Sequence, residues 1–189
     1  MLHPAFADHH VHLGLVDASG LPASGIGRVV DLGWSDDVVV LATSAPVATS
    51  YAGRFVTAPG GYPGASPWAP PRCTSEVAEP REAAGAVAHQ VALGASVVKV
   101  TLNRDAGPVP DGATLRAVVE AAADAGLPVV AHCQGPGMVE LGLAGGIAAV
   151  ARPAQFAMGF KLFYDEDVNL FSPARVRTIR PSVRFVSYQ

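Results

Sequence analysis

The chain has 189 residues, half of them hydrophobic and only 15% charged, with a net charge of −3. That length suits one domain with a substantial core and is short for two. The charge balance lacks the basic footprint of a nucleic-acid binder, no apolar run reaches the length of a membrane span, and no basic, long-apolar leader is seen at the start. Cys73 and Cys133 lie far apart, so no disulfide framework is expected and a reducing cytoplasm is the default setting.

Along the chain, short β-rich runs alternate with helical ones. Residues 5–12 read as a first strand that ends in Asp8-His9-His10-Val11-His12, and residues 28–32 read as a second. Ser35 can cap a helix over 36–43, with Asp36 and Asp37 in the first turn, where the helix dipole favours negative charge. Residues 54–57 form a third strand, and 58–72, dense in Gly, Pro and Trp, form a long loop. A helix follows over 77–93, with Pro80 best placed in its first turn. Residues 96–102 are a fourth strand. Asp111 caps an amphipathic helix that runs to 125 and is ended by Gly126. A fifth strand spans 128–132, a shorter helix 137–144, and a sixth strand 147–151. From residue 152 the Ala/Gly/Val bias is lost, and Arg175, Arg177, Arg180 and Arg184 fall within ten residues without a βα repeat.

Strands alternating with helices imply a parallel α/β architecture. The runs Val97-Val98-Lys99-Val100 and Val129-Val130-Ala131 suit strands buried on both faces. On this ground alone a barrel and an open doubly wound sheet both fit, and either places its site at the C-terminal strand ends. No GxGxxG or GxxxxGK[ST] run opens a helix, which weakens a nucleotide-binding version.

His10 and His12 are two apart, so on a strand both imidazoles project from one face. Lys99 lies in the fourth strand and His132 ends the fifth. In a barrel such positions converge on one mouth. His9 should face the other way, His89 should sit exposed on a helix, His3 near a free end should be solvated, and Cys133 should be a small buried residue. Lys99 alone also admits a snorkelling lysine or a Schiff-base lysine of a barrel lyase. Tyr62 and Trp68 in the long loop, and Asn103, Arg104 and Asp105 after the fourth strand, are candidate substrate contacts.

The first strand with His10-Val11-His12, the fourth with Lys99 and the fifth with His132 together resemble the amidohydrolase superfamily of metal-dependent hydrolases, most of all its imidazolonepropionase-like branch, over about residues 5–150. The resemblance implies a TIM-barrel-like (β/α)8 fold, incomplete here at about five to six βα units. It also implies one or two divalent ions, zinc foremost, held by His10, His12, His132 and a carbamylated, bridging Lys99. Hydroxide formed on the metal would hydrolyse a non-peptide C–N bond in a small amide or cyclic amide. A lysine amine titrates at about 10.4 in water; burial disfavours its charged form, the direction that carbamylation requires.

The family pattern is not complete. No histidine follows His132, Arg152 stands about where a sixth-strand histidine belongs, and Asp165 and Asp167 are the only aspartates of the tail. A full barrel takes about 250 residues. The expectation is therefore a partial amidohydrolase barrel over 1–151 with a divergent tail over 152–189, exposing strand edges through which two copies could pair. The alternative is a non-catalytic or truncated member that keeps only part of the metal site.

Overall fold

In the computed structural model, residues 5–152 are described, together with strand residues 161–162 and 185–186. The chain begins with β1 (Phe6–Val11) and, after three short 3-10 turns, β2 (Ile26–Asp31), α1 (Val38–Ser44), β3 (Ala48–Tyr51), β4 (Phe55–Thr57) and β5 (Thr74–Glu76). It continues with α2 (Ala83–Ala92), β6 (Val98–Asn103), α3 (Gly112–Asp124), β7 (Val129–Gln134), α4 (Met138–Gly145) and β8 (Ala149–Arg152). β9 (Lys161–Leu162) and β10 (Phe185–Val186) form a separate two-stranded antiparallel sheet. The tail arginines and the acidic group around Glu166 lie outside the described residues.

Two parallel sheets run in the orders β1-β2-β3 and β5-β4-β6-β7-β8. They meet where β3 gives way to β4: Ala52 N donates to Asp31 O at 2.8 Å, carrying the β2 ladder past Tyr51. The central strands β4, β6 and β7 are buried on both faces, as their near-continuous apolar runs require. Alternate residues of β6 and β7, among them Val98, Val100, Leu102, Val129, Ala131 and Cys133, pack against α2, α3 and α4. On the opposite face Val30, Leu32 and Ala52 meet Val97 and Val130, with Ala149 and Ala151 against them. A cluster drawn from β2 and from β7–β8 requires the sheets to curl, so this second face is concave, and His10 Nδ1 lies 3.1 Å from Ala151 O across the curl.

The helices follow from local chemistry. Asp111 accepts from Thr114 N at 2.7 Å and starts α3, and Gly126, at φ 72°, ends it. The helix expected over 77–93 begins later: Pro80 sits in a 3-10 turn over Pro80–Glu82, and α2 starts at Ala83. Two strands escape the sequence pattern, β3 and β5; both are short and carry polar residues, and their pairing with longer neighbours decides their state. His89, expected to be exposed, is half-buried and its Nε2 lies 2.9 Å from Asp36 Oδ1. Arg54 hydrogen-bonds the same carboxylate, and this pairing, aided by His89, holds Asp36 below the usual carboxylate range. The triad ties α1 to α2. Among the described residues no helix is long and apolar enough to cross a membrane.

Candidate functional site

The C-terminal ends of β1, β2, β6 and β7 carry the polar residues singled out in the sequence. His10 and His12 sit on the same side of the β1 end, their rings 5.2 Å apart and edge to face. His9, between β1's inward residues, is exposed. Asp8 accepts from His10 N at 2.9 Å and stiffens the turn of the strand. The two imidazoles share one feature: His10 Nδ1 lies 3.1 Å from Ala151 O and His12 Nδ1 lies 2.9 Å from Gly33 O. A carbonyl oxygen can only accept, so Nδ1 carries a proton in both rings, and in the neutral ring Nε2 carries the lone pair. Histidine ligands of metals are held in this way, the second nitrogen anchored to a carbonyl or carboxylate.

Lys99 and His132 face the concave side of the curled sheet. Lys99 is 1% exposed and pairs in register with Val130, one inward step below Thr101, whose register partner is His132. His132 Nε2 lies 3.3 Å from Asn103 Nδ2; the amide nitrogen can only donate, so this ring nitrogen accepts. Asn103 Nδ2 also reaches Gln134 Oε1 at 3.4 Å, while the buried Asn103 Oδ1 has no hydrogen-bond partner among the described residues. Arg152 pairs in register with His132, at the end of β8.

The long loop folds over this end of the sheet. Tyr62 stacks on His132, with ring centroids 5.1 Å apart, and Trp68 lies 6.0 Å from both Tyr62 and His12. Thr101 Oγ1 donates to Tyr62 O and anchors the loop. Phe55 and Trp34 complete the aromatic group, at 6.2 and 6.3 Å from Trp68. Contacts thus run unbroken from His12 through Trp68 and Tyr62 to His132 and Asn103. Arg104 and Asp105 stand apart on a 3-10 turn.

A divalent ion finds part of what it needs here. The donor chemistry of His10 and His12 fits, since both present a lone-pair nitrogen with its partner anchored. Among the described residues, however, no three His, Cys, Asp or Glu side chains stand close enough to hold a metal ion.

Three further residues of the site are Trp34, Phe55 and Asp31. Trp34 and Phe55 are apolar and indistinguishable from core in the sequence. Asp31 is different: it is fully buried, with Oδ2 accepting from Leu13 N at 2.7 Å and Oδ1 from Gly33 N at 2.9 Å. Burial outweighs those two hydrogen bonds and pushes its pKa up to about 6. Its signal in the sequence is a carboxylate inside an apolar run, Val29-Val30-Asp31-Leu32.

The sequence matches no family model and, at a significant level, no curated protein. The fold does have counterparts among solved structures. A Xaa-Pro dipeptidase with bound methionine in its active site superposes with a TM-score of 0.63 at 21% identity, over 78% of this chain and 47% of that one. An amidohydrolase gives 0.61 at 18% identity, over 78% and 47%. The ochratoxinase of A. niger gives 0.59 at 23%, over 78% and 46%. The chain therefore has the parallel α/β fold of an amidohydrolase-type barrel in part. The matched region spans about half the length of those structures.

Proposed function

We propose that this chain is a portion of a metal-dependent amidohydrolase, acting on a non-peptide C–N bond of a small amide or cyclic amide. The observation that supports this most is the matched anchoring of His10 and His12, which leaves two Nε2 lone pairs at one strand end of an amidohydrolase-type sheet. In this reading His10 and His12 supply the first two ligands of a divalent metal, zinc first among them, and His132 and Lys99, as its carbamate, would join them only by closing in from their described positions. Bound there, the ion supplies Lewis acidity towards the scissile carbonyl.

The chain's own residues have definable work beside it. Gly33 O and Ala151 O hold the two imidazoles in one tautomer. Tyr62 and Trp68 close the mouth against water and offer flat faces to an apolar or planar substrate group. Asn103 Oδ1, buried and without a hydrogen-bond partner among the described residues, is an acceptor suited to a substrate N–H.

Metal analysis of the purified full chain tests the reading. Zinc should co-purify and be lost on His10→Ala and on His12→Ala, with the fold retained by circular dichroism. A metal-free wild-type chain that also fails to bind added zinc overturns it. The shortage of converging ligands among the described residues supports a second reading, a non-catalytic member that keeps the fold. That reading predicts zinc binding without turnover of any amide in a substrate panel, or no zinc at all. A borohydride-trapped adduct at Lys99 that is indifferent to chelators would instead mark a Schiff-base lysine.

A further inference from the structure

A buried carboxylate is costly unless its oxygens are well satisfied, and a valine or leucine would fill the end of β2 more cheaply than Asp31. What the aspartate does there can be followed bond by bond. Its Oδ2 takes the N–H of Leu13, the residue directly after His12. Its Oδ1 takes the N–H of Gly33, the residue whose carbonyl receives the His12 Nδ1 proton. One carboxylate thus grips both the backbone that carries the imidazole and the residue that supplies the acceptor.

Gly33 has little latitude to do this another way. It adopts φ +121°, which L side chains avoid, and a Cβ there would lie 2.6 Å from the Phe55 ring. The following peptide is pinned from the far side, where Trp34 N donates to Gly53 O at 3.1 Å. Leu32 N donates to Val11 O at 3.0 Å, so β1 and β2 are paired again at this point, after the register irregularity between Asp8 and Val11. Beyond it the Asp31 side chain takes over as the strand partner of Leu13.

We propose that Asp31 is a positioning residue that fixes His12 in its Nδ1–H tautomer, with the lone pair on Nε2. The use of that lone pair for a metal rests on the function proposed above; the tautomer itself does not, because it exists without metal. His10 provides an internal control. Its acceptor is Ala151 O on β8 and its own backbone is held by Asp8, so its tautomer is set independently of Asp31.

The test uses the full chain labelled with nitrogen-15, stripped of metal, at a pH above the imidazole range. Two-bond proton–nitrogen correlation of the histidine rings reports each tautomer. In the wild type, His10 and His12 should both be Nδ1–H. In Asp31→Ala, His12 should become a mixture while His10 is unchanged, and Asp31→Asn, which keeps one acceptor oxygen, should restore part of the His12 signal. An unchanged His12 in Asp31→Ala overturns the proposal, as does an equal change in both rings, which would mark general disruption. Should neither variant fold, amide exchange in the wild type decides. The Leu13 and Gly33 N–H groups should exchange at least about 100-fold more slowly than exposed loop amides, and exchange at the loop rate removes the clamp. A fixed His12 tautomer in a chain that binds no zinc would sink the metal reading and leave this one standing.

Discussion

Burying Asp31 ought to leave a measurable pH signature in stability. Its carboxyl rises from 3.8 to about 6 on folding, because desolvation outweighs the hydrogen bonds from Leu13 and Gly33. Between those values the folded state keeps a proton that the unfolded state has lost. Stability therefore falls as pH rises through the window and is lowest, from this group, once pH exceeds about 6. The difference corresponds to about 3 kcal/mol at full extent. Urea unfolding of the wild type and of Asp31→Asn from pH 4 to pH 8 isolates it, since other groups cancel in the difference. Asn leaves one N–H facing an amide donor, a roughly constant cost of about 1–3 kcal/mol. The stability of the wild type relative to Asp31→Asn should fall by a few kcal/mol across the window and then level off. A flat difference, or one that grows with pH, would refute the reasoning.

Other substitutions test the packing. Leu115 is fully buried beneath Gly145, where a Cβ would sit 2.5 Å from its Cδ2, so Leu115→Ala should cost about 2–5 kcal/mol in denaturant unfolding. Gly33→Ala combines a disfavoured backbone with a clash against Phe55, and should lose more than the roughly 1–3 kcal/mol of strain alone, read as a lowered Tm. Asp111→Ala removes the cap of α3 and should lower the Tm, with the first turn of α3 exchanging its amides faster.

The strands that were legible in the sequence are those whose burial writes an unbroken apolar run. β6 and β7 stand out because both faces are covered, and within them Lys99 and His132 are conspicuous as polar interruptions. β3 and β5 could not be read this way: four residues carrying Thr and Ser, and three reading Thr-Ser-Glu, take strand form only because β2 and β4 offer them ladders. At the site, His10 and His12 were readable from a spacing of two on a strand. Their anchors were not, because Gly33 O and Ala151 O are backbone atoms and leave no mark in residue identity. Asp31 lay in plain view inside an apolar run, yet its role depends on which two N–H groups it meets. Trp34 and Phe55 belong to the mouth only through the fold of the loop that brings Trp68 against them.

The two anchors of the histidine pair also differ in when they can form. His12 meets a partner 21 residues away, whereas His10 waits for one 141 residues away. For a chain emerging from the ribosome, His12 can be set as soon as β2 has been made, and His10 only after β8. In closure entropy alone the second contact costs roughly 2 kcal/mol more than the first. A nascent or partly unfolded chain would thus pass through a stage with one imidazole locked and the other swinging, and the matched pair would arrive late, as a property of the curled sheet rather than of the strand that bears the histidines.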